Sequence, residues 1–484
     1  MVVATPETYI QRLKEQKPLI YMGGEEIKNI VDNPIFRVGI NAIATTYEAS
    51  TKPECQNLAV LDSPLINEKI SRWTHIQQSM DDAILKMRLM RKLGSLFPGC
   101  ACNYRCITTD CLNAAWVISY EIDKKYHTNY HERVVEIVKH VQKNDLVVGG
   151  SIVDPKGDRS LPPSKQPDPD VYLHVVEKGE DGIVVRGAKA HSTAAPYTNM
   201  LCVFPCRAMR EDEKDYAVAF FTPVDAKGIT YICRQSSAPT EPKEVEAPIS
   251  SRYGHVEAFV VYDDVFVPWK NVFMCGEYEF AGPMMNTFAS FHLWHKCGCR
   301  TNSIDLTIGA AALIADYNGV ERASHIRNYL TEMIINAEIV YSCGIAAAVN
   351  GLKHESGVYI PNPLQANVGK YYASKKLGEN RFYLQDTAGG LVRTMATEKD
   401  YQNPPTRRWM EKYLKGKVDI PVEHRIRAFK LVEDLTASDY AGWYHAMCIS
   451  GGGGPQLLKG MILATYNLER SKKMAKVAAK IEKS

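Results

Sequence analysis

Residues 182–190 and 257–268 read GIVVRGAKA and EAFVVYDDVFVP, and together with four neighbouring stretches they decide the fold. Those neighbours are DLVVGGSIV (145–153), DVYLHVVEK (170–178), YAVAFFTPV (216–224) and ITYICRQ (229–235). All six are short, rich in β-branched and aromatic residues, and separated by Gly, Pro and Asp turns, as strands are. Outward from this block the period changes on both sides. Upstream, INEKISRWTHIQQSMDDAILKMRLMRKLGSLF (66–97), AAWVISYEIDKKY (114–126) and YHERVVEIVKHVQKN (130–144) space apolar residues by three and four, the helical pattern. Downstream the same spacing returns in IDLTIGAAALIADYN (304–318), IRNYLTEMIINAEIVYSCGIAAAVNGL (326–352) and LLKGMILATYNLERSKKMAKVAAKIEK (457–483). The order predicts an α+β chain in three segments: helical over 1–145, β over 146–280 and helical over 281–484. No internal repeat of 20–50 residues competes with this reading.

The bulk numbers narrow the function. The chain has 484 residues, is 45% hydrophobic and 23% charged, and carries a net charge of +3. That is the composition of an ordinary globular protein. The absence of a basic block argues against a nucleic-acid partner. The N-terminus, MVVATPETYIQRLKEQKP, lacks the apolar core of a secretory signal, and no unbroken apolar run of about 18 residues occurs. These features predict a cytoplasmic protein with no membrane partner.

Thirteen cysteines in such a chain are not expected to form disulfides. Six fall in two windows, Cys100, Cys102, Cys106 and Cys111, then Cys297 and Cys299, and such clustering points to metal or catalysis. Cys55, Cys202, Cys206, Cys233, Cys275, Cys343 and Cys448 read as small buried apolar residues. If Gly99–Asn113 is one helix, Cys102 and Cys106 lie about 40° apart on one face at 100° per residue. His292 and Cys299, seven apart, also share a face. Cys100 would lie about 120° from Cys106 and Cys297 about 140° from His292, and Cys111 points away. His295, four before Cys299, fits as well as His292. Spacing leaves zinc, an iron–sulfur cluster and plain buried thiols all open.

At these residues the chain resembles the 4-hydroxybutyryl-CoA dehydratases, a branch of the 4-hydroxyphenylacetate 3-hydroxylase family, as a divergent member. The resemblance runs almost end to end. It includes NYRC (103–106), YEIDKKYHTNYH (120–131), DPKGDR (154–159), EDGIVVRGAKAHST (180–193), EAFVVYDDVFVP (257–268), EYEFAG (277–282), the H-x6-C of His292 and Cys299, IGAAALIADYNG (308–319) and TAGGL (387–391). It implies an acyl-CoA dehydrogenase-like fold: a helical domain, a β-barrel-like flavin-binding domain, a helical bundle, and a homotetramer. It implies FAD, contacted by Lys156, Asp158 and Arg159 of DPKGDR, by Lys189, His191 and Thr193 of AKAHST, and by Gln385, Gly389 and Gly390 of a neighbouring subunit. It also implies a [4Fe-4S] cluster on Cys102, Cys106, His292 and Cys299.

The implied activity is a lyase reaction, the dehydration of a hydroxyacyl-CoA by a radical mechanism, with Δ-isomerase activity alongside. His292 and Glu257 would handle protons, with Lys296 and Arg300 beside them in the site. The chain departs from the dehydratase pattern at four positions. Lys296 and Arg300 replace a tyrosine and a lysine, and Tyr104 replaces a glutamine. Met447, eight before Pro455, stands where the pattern has a catalytic glutamate; His445, two residues off, does not share its helix face. Arg300 is no equivalent of lysine, because its planar fork suits bidentate carboxylate or phosphate contacts. The departures point away from 4-hydroxybutyryl-CoA itself as substrate. The same resemblance leaves two other activities open, a flavin monooxygenase acting on a phenol and a redox or elimination enzyme acting on a different acid.

Overall fold

In the computed structural model, which describes residues 3–234, 237–241 and 243–481, helices flank a block of two β-sheets. The last residues of the 457–483 stretch and Gln235 of ITYICRQ lie outside the described residues.

One sheet has six strands, in the order Glu25–Glu26, Leu19–Met22, Ile229–Cys233, Glu257–Pro268, Gly182–Thr193 and His174–Lys178. The other has four, in the order Val272–Cys275, Val218–Pro223, Met200–Val203 and Val148–Ser151. These are two separate sheets rather than one closed barrel. Along Glu257–Pro268, Ala258, Val260, Tyr262, Val265 and Val267 are buried. The register shift between Tyr262 and Val265 adds one residue to this strand and so keeps the apolar set inward in a strand otherwise ruled by a period of two.

The mainly helical 1–145 segment also holds short strands: Leu19–Met22 pairs in parallel with Ile229–Cys233, and Val60–Asp62 pairs with Lys69–Ser71. One reading of the sequence needs correction: Gly99–Asn113 is not one helix. The helix starts at Cys106 and runs to Tyr126. Upstream, Gly99 has φ +94° and Tyr104 φ +61°, a left-handed conformation that a helix cannot contain. The helical-face argument for Cys102 therefore fails.

The Ala281–Asn318 helix is the axis of the C-terminal part, packing on Ser324–Val349, Pro363–Ala388, Met80–Leu96 and Cys106–Tyr126. Gly319, φ +70°, ends it, the usual left-handed stop. Its neighbours approach closely because a glycine faces it: a Cβ on Gly369 would sit 2.6 Å from Cys297 Sγ. One apolar core joins Ile43, Val260 and Leu293, from all three segments, and a second core fills the space among the C-terminal helices around Phe429. Ser324–Val349 is apolar and long enough to cross a membrane by composition, but it packs within this bundle with 39% of its most apolar stretch buried.

Candidate functional site

Residues Phe288 to Thr301 of the long helix are buried without a break. His292, Lys296, Arg300 and Ser303 follow one another at spacings of four, four and three, so one stripe of the helix carries them all. An aspartate that sequence reasoning missed fixes the first of these. Asp110, fully buried, accepts from His292 Nδ1 at 2.8 Å and from His295 Nδ1 at 2.6 Å. With Nδ1–H committed to a carboxylate, each imidazole keeps Nε2 as its free lone pair. Asp110 lies four residues after Cys106, so the helical spacing used for the cysteines also reached it.

The two histidines differ in what surrounds Nε2. His295 is wedged between Trp73 and Trp294, with ring centroids 6.5 and 4.5 Å away, and its buried Nε2 has no hydrogen-bond partner among the described residues. His292 stacks on Phe288 at 5.2 Å, and its outer edge meets the glycine-rich turn. A Cβ on Gly452, φ +79°, would come 3.2 Å from His292 Cδ2 and 3.7 Å from Nε2. ISGGGGPQ thus lets the backbone close over His292 where a side chain would not fit. Burial first, then Lys296, pushes the His292 imidazole down to about 4.

Cys106 and Cys299 are buried, and Cys102 is partly so. Burial pushes the Cys106 thiol well up, with Asp110, Cys102 and Cys299 adding to the rise and Lys296 opposing it. Burial likewise raises Cys299, against Arg300 and Lys296, and Cys102 adds to the rise. These three thiols and Lys296 thus act electrostatically on one another. His255, also missed, binds the Cys102 carbonyl through Nε2 at 2.8 Å and steadies that turn. The other cysteines of the two windows face elsewhere. Cys100 turns to the Ala42 carbonyl and Cys297 to those of Leu293 and Ala366, while Cys111 neighbours Cys202. Of the seven cysteines read as buried apolar residues, Cys206, Cys275 and Cys343 are only partly buried. Among the described residues, no group of three or more His, Cys, Asp or Glu side chains is arranged around a single metal ion.

Glu257 and Thr193, singled out separately in the sequence, are cross-strand partners. Thr193 Oγ1 donates to Glu257 Oε2 at 2.6 Å. Enclosure raises the Glu257 carboxyl, while Thr193, His255, Trp443 and Lys296 pull it back. In the 154–159 turn, Lys156 and Gly157 have φ +82° and +50°, and Asp158 accepts from Ser160. Arg159 is exposed there. Lys189 is buried and spends its ammonium on Asp154 at 2.6 Å and on the carbonyls of Ile152 and Phe204. His191 is exposed, with φ +55°. Gln385, Gly389 and Gly390 are exposed at the end of the Pro363–Ala388 helix, and among the described residues no hydrogen bond links them to the 154–159 or 189–193 stretches.

The Asp439–Ser450 helix, capped by Ser438 on Ala441 N at 3.1 Å, closes the far side. Arg300 donates to Tyr444 Oη at 3.0 Å and reaches Met447 Sδ at 3.2 Å. Tyr444 also pairs with Ser303. His445 turns away and meets Arg381 Nη1 at 3.0 Å. Lys370, fully buried, donates to the carbonyls of Cys448, Ile449 and Gly453 at 3.0–3.3 Å. It thus ties the helix end to the glycine turn over His292. Burial, then Arg300 and Lys296, pushes Lys370 down to about 7.

Comparison with known proteins bears on this geometry. Residues 5–274 match the 4-hydroxyphenylacetate 3-hydroxylase N-terminal family and 281–480 its C-terminal counterpart. The chain is 39% identical to the 4-hydroxybutyryl-CoA dehydratase/vinylacetyl-CoA-Δ-isomerase of Clostridium aminobutyricum, over 99% of this chain and all of that one. An oxygen-tolerant archaeal 4-hydroxybutyryl-CoA dehydratase from N. maritimus superposes with a TM-score of 0.94 at 37% identity, covering 100% of this chain and 96% of that one. The oxygenase component of a 4-hydroxyphenylacetate 3-monooxygenase, solved with FAD, shares the fold at a TM-score of 0.89 and 22% identity, covering 99% and 98%.

Proposed function

The chain belongs to the 4-hydroxyphenylacetate 3-hydroxylase family, and on that premise we propose that it is a lyase removing water from a small hydroxyacyl-CoA by a radical mechanism, with Δ-isomerase activity alongside. The cofactors in this reading are FAD and a [4Fe-4S] cluster on Cys102, Cys106, His292 and Cys299. The observation that carries it is the imidazole of His292 fixed at Nδ1 by buried Asp110, with the thiols of Cys102, Cys106 and Cys299 and the buried ammonium of Lys296 acting electrostatically on one another nearby. A buried ammonium with no hydrogen-bonded carboxylate suits thiols that are ionised, and buried thiols ionise when a metal binds them. The four donors need not surround one ion, since each would bind a different iron of the cluster. His292 would bind through Nε2, because Asp110 occupies the other nitrogen.

When bound, the flavin supplies one-electron chemistry and the cluster a Lewis-acidic iron for a departing hydroxyl. The chain's own residues do the rest. Glu257, raised by enclosure and bonded to Thr193, can hold or pass a proton. Lys296 would place positive charge where a thioester oxygen gains negative charge, with Arg300 one turn further along the same helix. The Gly452 turn and Lys370 exclude water from His292. For FAD, the strained turn at Lys156 and Gly157 presents backbone amides and cations suited to a pyrophosphate, with Asp158, Arg159 and His191 at its edge. Lys189 anchors that turn through Asp154. Gln385, Gly389 and Gly390 would reach the flavin of a neighbouring subunit in a homotetramer. Exposed Ile334, Ile335, Ile339 and Phe382 on the outer helices supply an apolar face for such an assembly.

Anaerobic purification followed by iron, sulfide and flavin analysis tests the reading. Four irons and one flavin per chain are expected. Flavin without iron would refute the cluster and favour the monooxygenase activity seen elsewhere in the family.

A further inference from the structure

Four cations gather around Arg300. Arg300 and Lys370 are buried, Lys296 lies one helical turn before Arg300, and Arg381 is half-buried on the same cavity wall as Arg300, Ser303 and Tyr444. A buried cation ordinarily meets a carboxylate. Arg300 does not. Its partners are the Tyr444 hydroxyl and the Met447 thioether, and Cys448, the next group that bears on it, is a thiol raised by burial. Arg381 meets His445 and the Ala441 carbonyl, and Lys370 meets only carbonyls. No Asp or Glu forms an ion pair with any of the four among the described residues. Cluster thiolates do not make up the deficit, because Lys296 already lies among those thiols and a cluster with three thiolates is at most weakly anionic.

We propose that Arg300 is an anion receptor, and that the substrate is the thioester of a hydroxy-dicarboxylic acid whose free carboxylate it binds. The guanidinium fork matches a carboxylate bidentately. Met447 leaves the guanidinium charge unanswered, since a thioether cannot neutralise it, and Ser303 and Tyr444 offer hydroxyls to the same anion. The thioester half of this substrate rests on the function proposed above; the carboxylate half rests on the cation cluster alone.

Calorimetric binding of glutaryl-CoA and pentanoyl-CoA to the anaerobically purified holoenzyme tests it, because the two differ at the chain end. Glutaryl-CoA should bind about tenfold tighter or more, as expected for a charge-assisted pair. The preference should vanish in Arg300→Met. It should vanish independently in Met447→Glu, which hands the guanidinium an internal carboxylate. Equal binding of the two thioesters, or a preference that survives both substitutions, overturns the receptor. If neither thioester binds, free pentanoate against neutral pentanamide separates the two claims. An Arg300-dependent preference for pentanoate upholds the receptor and refutes the thioester carrier, and no preference overturns the receptor itself.

Discussion

Two buried arginines in this protein, Arg105 and Arg300, live by opposite rules. Arg105 is fully buried, binds the Asp145 carboxylate and carbonyl, and lies 4.0 Å over the Tyr47 ring. Asp145 in turn accepts from Ala4 N at 3.0 Å. Every charge there is answered within the chain, and the result is structural: the turn carrying Cys102 and Cys106 is anchored beneath its left-handed Tyr104. Arg300, almost as buried, meets only neutral groups. A protein that gives one buried arginine a carboxylate, though its Nε has no hydrogen-bond partner among the described residues, and gives another none is keeping the second for something that arrives from outside.

The largest effect should come from breaking the satisfied pair. Asp145→Asn keeps the shape and the left-handed backbone, which Asn tolerates, but strands Arg105 without a counter-charge. A loss of about 3–5 kcal/mol is expected, read as a fall in the guanidinium chloride midpoint. Adding Arg105→Met should recover part of it, because the stranded charge is then gone. A midpoint unchanged in Asp145→Asn would mean that the pair does not hold the turn.

The same kind of change at the other arginine should have little effect or the reverse sign. Arg300→Met removes a charge that nothing in the chain neutralises, at the cost of one hydrogen bond to Tyr444. The urea midpoint should hold or rise, by up to about 2 kcal/mol. A loss larger than about 2 kcal/mol would make Arg300 a structural residue like Arg105 and erase the contrast.

This contrast was only partly legible in the sequence. The helix, strand, helix order follows from apolar period, and that period is strong because each long element buries one face. Leu19–Met22 escaped because a four-residue strand carries too little pattern, and its partner Ile229–Cys233 is remote in the chain. The false helix over Gly99–Asn113 ignored Pro98 and Gly99, a pair that usually punctuates. Cys102 therefore joined Cys106 through a turn, which no face argument describes. On the Ala281–Asn318 helix the period held and joined His292 to Cys299, while Lys296 and Arg300 came from the family resemblance. Lys370, Arg381 and Tyr444 were missed because they come from two further helices. No local pattern announces that their charges converge, and a missing carboxylate leaves no motif.

The smallest expected effect probes that convergence directly. Lys370 is pushed down to about 7 by burial and then by Arg300 and Lys296. A lysine lowered in the folded state is less protonated there than in the unfolded chain between pH 7 and its ordinary value near 10.5. The unfolded state then binds more protons, so stability rises with pH through that window. Below about 8.5 the thiols that burial raises, such as Cys106, Cys297 and Cys448, do not yet compete. The urea midpoint should therefore climb between pH 7 and 8.5, by about 1–2 kcal/mol at most, since the three carbonyls bonded by Lys370 favour its ammonium. In Arg300→Met the climb should shrink, because the nearest cation is gone and Lys370 titrates higher. An equal climb in both proteins would show that burial alone governs Lys370, and that the cations around His292 do not act on one another.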